Sequence, residues 1–369
     1  MTHTSFGLLA VALVLAIITA SVASCTTFKK SLDAGGLSDL AKQVLADGSA
    51  QGSSEAGPAS LEAYLATGES SSQAAVSYQL VSREPFQRWK PTVRNGTVIG
   101  ERLRFRPESI DAAAMPVAAS DAYFYFFHTA DWAGKKAVIW APGFGVSDFA
   151  FLFIRRFFEI ELSRGWAVLV WVPPYHLERQ SPGKKAGEGL ITLDPKSLLV
   201  SMSASVGELA HGVAWLTSQG VERVGGWGGS FGAASLMLLG EHYRFDHLTL
   251  MIPLVDWTTP WNNEALAPLR QAFHSAGYGE DLLFRAFRTI SPVAHGALTP
   301  PGRTQILYAR YDQLTPESVT LAYGQALEAQ SSGGAEKPDV RGYKESHGTI
   351  LLSGAMYRAY GEFLDRMAN

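Results

Sequence analysis

Cysteine is almost absent from this chain. Cys25 stands alone among 369 residues, which excludes a disulfide framework within the chain. An excess of either charge is missing too. A formal net charge of -3 with 18% charged residues leaves no basic footprint for nucleic acid, and that class of partner is excluded. The histidines are scattered, with no second cysteine and no H-x-x-x-H pair beside them, so no metal site is expected. Neither a Gly-Lys-Ser/Thr phosphate loop nor a G-x-G-x-x-G fingerprint occurs, so no nucleotide or dinucleotide cofactor is expected.

Apolar residues are plentiful, at 47%, enough to build the core of one large α/β domain with appendages. The first of them lie outside any fold. Residues 7–22 form an almost unbroken apolar run, too short for a comfortable membrane span. It closes on Val22-Ala23-Ser24-Cys25, which resembles the lipobox of bacterial lipoproteins, although His3 stands where that family usually has lysine or arginine. The resemblance implies a signal peptide over residues 1–24, and lipid attached to Cys25 as the new N-terminus. It further implies residence in a bacterial cell envelope, on the outer membrane or the periplasmic face, with the membrane as a partner. Residues 25–75, rich in Ala, Ser and Gly, read mostly as a flexible tether with short helical patches at 37–45 and 61–65. The folded domain is expected over residues 76–369.

Within that domain, short apolar runs alternate with amphipathic stretches. Strands are expected at 76–81 and 98–105 around the Asn95-Gly96 turn signal, then at 123–128, 136–140, 166–172, 221–224, 248–254, 303–309 and 340–343. Helical spacing occupies 151–162, 205–216, 231–239, 320–330 and 356–367. This alternation predicts a mostly parallel sheet with helices on both faces.

The most informative segment is Arg223-Val-Gly-Gly-Trp-Gly-Gly-Ser-Phe-Gly-Ala-Ala234. It holds Gly228-x-Ser230-x-Gly232 between a strand and a helix, the pattern of a nucleophile elbow. There a serine at the apex of a sharp turn points its Oγ outward, and small neighbours let strand and helix approach. With the order of elements, the Pro142-Gly-Phe-Gly145 loop and a late aspartate and histidine, the chain resembles the α/β-hydrolase superfamily from residue 76 onward. The resemblance implies that fold, with a small helical cap insertion over about residues 257–301.

Acyl chemistry on a serine needs a base for its proton and a carboxylate to orient the base. In the superfamily these follow in the order Ser, Asp or Glu, His. His347 is the sole histidine after Asp312, and it is the expected base. Asp312, in Ala309-Arg-Tyr-Asp-Gln-Leu-Thr-Pro316 at the end of a predicted strand, is the expected acid, with Asp256 as the alternative. The oxyanion donors are expected from the backbone of Phe231 and from Phe144 or Gly145. Tyr175 and His176, after a central strand, and Trp257 and Trp261, in the cap, are candidates for the substrate pocket, the two tryptophans equally for the cap's own core.

The expected activity is a serine hydrolase, carboxylesterase-like, cleaving a small or lipid-like acyl substrate through an acyl-enzyme. The competing expectation is a non-catalytic, membrane-anchored lipoprotein that uses the same fold as a binding or scaffolding surface.

Overall fold

The computed structural model describes residues 26–48, 57–67, 77–94, 96–108, 120–295, 303–330 and 337–367. The expected signal peptide and Cys25 lie outside them. Among the described residues, no helix is long and apolar enough to cross a membrane.

Among the described residues, nine strands form one sheet: β1 (Tyr78–Pro85), β2 (Val98–Pro107), β3 (Ala122–Thr129), β4 (Lys136–Ala141), β5 (Ala167–Val172), β6 (Arg223–Gly229), β7 (Leu248–Met251), β8 (Thr304–Ala309) and β9 (Asp339–Tyr343). Their spatial order is β1-β2-β3-β5-β4-β6-β7-β8-β9. The first three strands and β5 pair antiparallel; from β5 through β9 every pair is parallel. Strands such as Ala167-Val-Leu-Val-Trp-Val172 are buried along their whole length. That is why they read as continuous apolar runs, as strands covered on both faces do.

Alternation along β3 divides the core. Phe124 and Phe126 face one side with Ile139, Leu169 and Trp171, covered by α4 (Pro195–Ser218) and α5 (Phe231–Leu239). Tyr125 and Phe127 face the other with Val138, Trp140 and Val168, covered by α3 (Asp148–Leu162) and α9 (Gly354–Met367). Two-residue periodicity is what separates the two sets. On the second face Trp140 of β4 and Trp227 of β6 stack with ring centroids 3.5 Å apart. A helix, α8 (Glu317–Gln330), links β8 to β9.

The N-terminal segment departs from the expected tether. Two helices, α1 (Thr26–Gly48) and α2 (Pro58–Ala66), pack on the body. Leu37, Ala41 and Val44 of α1 and Leu61 of α2 belong to the same core cluster as the sheet. The spacing of Leu37, Ala41 and Val44 makes one buried stripe, so few apolar residues suffice. Alanine, serine and glycine elsewhere in the segment hid it in the composition. The folded unit therefore begins before residue 76. Between β7 and β8 lies a helical layer with α6 (Ala267–Ser275), α7 (Glu280–Arg288) and short 3₁₀ turns.

One carboxyl in the core is held by this packing. Glu161 of α3 is fully buried and accepts from Trp140 Nε1 at 2.8 Å and from the Tyr360 hydroxyl. Burial pushes its pKa up to about 8, against the two hydrogen bonds. A raised carboxyl pKa means that its share of stability is complete below the unfolded-state value. That share is lost as pH rises toward 8. Glu161→Gln is expected to flatten the loss of stability between pH 5 and pH 9 and to stabilise the protein at pH 9 by more than about 1 kcal/mol. Thermal melts of both proteins across that range check this.

Candidate active site

The site lies at the C-terminal ends of the parallel strands. β6 ends at Gly229, Ser230 makes the turn, and α5 starts at Phe231. Ser230 adopts φ 49° and ψ -114°, a region that side chains other than glycine rarely enter. The turn is over-determined by its surroundings. Ser230 N–H donates to the Met251 carbonyl at 3.0 Å, fastening the turn to the end of β7. A Cβ on Gly232 would stand 1.9 Å from the Ala141 carbonyl oxygen, and one on Gly228 would stand 2.6 Å from Ala233 Cα. Only glycine fits at either position, which explains the residue types flanking the serine.

His347 follows β9 and returns to the serine: its Nε2 lies 3.0 Å from Ser230 Oγ. Its Nδ1 lies 2.8 Å from Asp312 Oδ2. Asp312, just beyond β8, is fixed by three other donors. Leu314 N–H and Thr315 N–H donate to Oδ1, each at 2.8 Å, and the Thr315 hydroxyl donates to Oδ2 at 2.7 Å. Burial pushes the His347 pKa down, but the charge and hydrogen bond of Asp312, with the charge of Asp33, outweigh it and hold it above 6.5. An imidazole bonded to both a hydroxyl and a carboxylate can take a proton from one while the other stabilises the cation.

Asp256, the alternative acid, is engaged elsewhere. Its Oδ1 accepts from Thr258 N–H and the Thr258 hydroxyl, both at 2.8 Å, so the His347 imidazole pairs with Asp312 alone of the two.

The Pro142–Gly145 loop faces the serine, since a Cβ on Gly143 would stand 3.3 Å from Ser230 Cβ. Gly145, however, is committed: its N–H donates to His176 Nε2 at 2.8 Å. Phe144 N–H is therefore the candidate from this loop, opposite Phe231 N–H at the start of α5, where backbone donors lack helical acceptors. His176 in turn donates from Nδ1 to the Pro174 carbonyl at 2.7 Å, which fixes the tautomer. It is fully buried, and burial pushes its pKa down to about 4, so it stays neutral as an acceptor.

Among the described residues, two cavities open on Ser230. One, of about 120 Å³, is almost wholly apolar and is lined by Phe231, Leu254, Trp257, Trp261 and Phe273 among others. The second, of about 180 Å³, is lined by His347, Gly143, Phe144 and Ile252. Trp257 and Trp261 line the first cavity and belong to the buried core cluster as well. Tyr175 and His176 line neither cavity. Tyr175, at φ 64°, borders a separate hollow with Glu178 and Arg179, and its ring packs so closely over Gly189 that a Cβ there would stand 2.9 Å from it. A further hollow, of about 830 Å³, is lined by Lys136 and Gly165 at the opposite ends of the strands and contains none of these groups.

Sequence reasoning missed two residues: His176 as a brace of the loop, and Asp33 of α1, whose carboxylate accepts the His347 N–H at 3.0 Å. The pairing of Asp33 with a loop so far along the chain leaves no local signal.

Neither a protein-family model nor a curated protein matches the sequence. Among solved structures, the chain is similar to the acetyl xylan esterase from Paenibacillus sp. R4, with 13% identity, a TM-score of 0.54, and 84% of this chain and 94% of that one covered. It is also similar to the Pyrococcus horikoshii acylaminoacyl peptidase, with 13% identity, a TM-score of 0.50, and 73% of this chain but 47% of that one covered. The chain has the α/β-hydrolase fold, with its mostly parallel central sheet and flanking helices.

The His347 environment is testable by itself. Its imidazole is expected to titrate above 6.5. In Asp312→Asn it is expected to fall, because the charge and hydrogen bond that favour the imidazolium are lost. An NMR titration of the histidine resonances, assigned with His347→Gln, measures both.

Proposed function

We propose that this protein is a serine hydrolase that cleaves carboxylic esters of short to medium acyl groups through an acyl-enzyme. The observation that carries the reading is the unbroken line of hydrogen bonds from Ser230 Oγ to His347 Nε2 at 3.0 Å and from His347 Nδ1 to Asp312 at 2.8 Å. This line ends on a serine between two cavities.

The two cavities divide the substrate. His347 must return its proton to the departing alkoxide, so the alcohol portion belongs in the 180 Å³ cavity that His347 lines. The acyl chain then occupies the apolar 120 Å³ cavity beside Phe231. Engineered apolar cavities of about 150 Å³ accept a benzene-sized guest, which sizes this one for an acyl tail of roughly four to six carbons. Ser230 Oγ attacks the acyl carbon as its proton passes to His347 Nε2. The tetrahedral oxygen takes hydrogen bonds from Phe231 N–H and Phe144 N–H. Collapse expels the alcohol with the proton from His347. Water, deprotonated by the same nitrogen, then attacks the acyl-serine and releases the acid. Lipid attachment at Cys25 and residence at the bacterial cell envelope belong to the same reading, supported by Val22-Ala-Ser-Cys25.

A fluorophosphonate probe is expected to label the folded full chain on Ser230 and not to label Ser230→Ala. Asp312→Asn is expected to lower kcat on a p-nitrophenyl ester by about 10⁴-fold, the scale seen when the orienting acid of a triad is neutralised. A folded wild-type protein that neither labels nor turns over any ester would favour the binding or scaffolding role instead. A second expectation concerns size: Trp261→Ala, which enlarges the acyl cavity, shifts the preferred p-nitrophenyl ester to a longer chain, read as kcat/KM along a two- to twelve-carbon series.

A further inference from the structure

Helix α1 brings two buried charges to the loop that carries His347. Asp33 is 4% exposed and Lys29 is 6% exposed, and they lie one helical turn apart on the same face. Their chemistry is complementary. The Lys29 ammonium donates to the Lys344 carbonyl at 2.8 Å and pairs with Glu345 at 2.7 Å, gripping the loop just before the histidine. The Asp33 carboxylate accepts from His347 N–H at 3.0 Å and from Gly348 N–H at 3.2 Å, gripping it at and after the histidine. Asp33 Oδ2 also accepts from Gln313 N–H at 3.2 Å, the residue beside Asp312. One carboxylate therefore ties the backbone of the proposed base to the backbone next to the proposed acid.

We propose that Asp33 is a positioning residue for the reaction: it sets the register between the His347 loop and the Asp312 turn, so that α1 is a working part of the active site. The inference rests on the serine-hydrolase reading. The helix has no strong reason to exist alone. Gly35 and Gly36 fall inside it with open space where a Cβ would be, and each glycine costs a helix interior about 1 kcal/mol relative to alanine. Its conformation is held by docking, through Asp33, Lys29 and the stripe of Leu37, Ala41 and Val44. On the same helix Leu37 and Leu40 line the apolar cavity at Ser230, so displacing α1 would disturb the base and the acyl pocket together.

Charge gives Asp33 a signature that mere packing lacks. The charged and titratable groups around His347 are Asp312 and Ser230 on its ring, Asp33 on its backbone, and the Lys29–Glu345 pair beside its loop. The Asp33 charge favours the imidazolium, adding to Asp312. Neutralising it lowers the His347 pKa, and the acid limb of kcat/KM moves to lower pH, because the neutral imidazole is the active base.

The test uses the full-length chain with Asp33→Asn, Asp33→Ala and, as a control on the exposed face of the same helix, Asp39→Asn. Asp33→Ala is expected to lower kcat on a p-nitrophenyl ester at least tenfold with KM changed less than threefold. Asp33→Asn keeps an acceptor but not the charge, and is expected to shift the acid limb and the NMR-measured His347 pKa downward while losing less kcat. Asp39→Asn is expected to match wild type. Folded Asp33 variants that melt lower but keep wild-type kcat, acid limb and His347 pKa would overturn the proposal, leaving Asp33 a structural residue. Should Asp33→Ala fail to fold, the acid limb and His347 pKa of Asp33→Asn decide between the same two outcomes. A wild-type chain without esterase activity or probe labelling would contradict the hydrolase reading instead, and the His347 titration in Asp33→Asn would still decide whether Asp33 acts on the histidine.

Discussion

The structure turns on one close approach, that of the first turn of α5 to the end of β4. Gly232 lies so near the Ala141 carbonyl that a Cβ would stand 1.9 Å from it. No other residue permits that contact, and three consequences follow from it. Ser230 is forced into a left-handed backbone at the apex, so its Oγ leaves the sheet at the strand ends. The Pro142–Gly145 loop is pressed against the serine, where a Cβ on Gly143 would stand 3.3 Å from Ser230 Cβ. The start of α5, with its unsatisfied N–H groups and positive dipole end, faces the same point. Strain at one residue is thus held by packing that the whole sheet provides.

Around that point the molecule spends buried polar groups on orientation. Asp312 receives four hydrogen bonds, three of them from its own turn. His176, buried and neutral, holds the Pro142–Gly145 loop by accepting the Gly145 N–H. Asp33 binds three backbone N–H groups of two different loops. None of these groups is free to wander, as a preorganised site requires.

Much of this was legible in the sequence, for physical reasons. The parallel strands stood out because burial on both faces demands continuous apolar runs, as in Ala167-Val-Leu-Val-Trp-Val172. The elbow was legible because close packing admits glycine alone at residues 228 and 232. Asp312 and His347 could be singled out by chain order, and the structure brings both to Ser230. What could not be read was interaction between distant segments. Residues 26–48 have the composition of a linker, and only docking reveals that their few apolar residues and two charges share one face. Tyr175 and His176 were near the right strand end, but their rings are taken up by Gly189 and by the Gly145 N–H of other segments.

In the proposed reaction Ser230 becomes covalently acylated during turnover. Rapid quench of the full chain with a slowly deacylating ester, followed by intact-protein and peptide mass spectrometry, tests it directly. A mass gain equal to the acyl group, located on the peptide containing Ser230, is the predicted result. Ester hydrolysis with no adduct, or with the adduct on another residue, would contradict it.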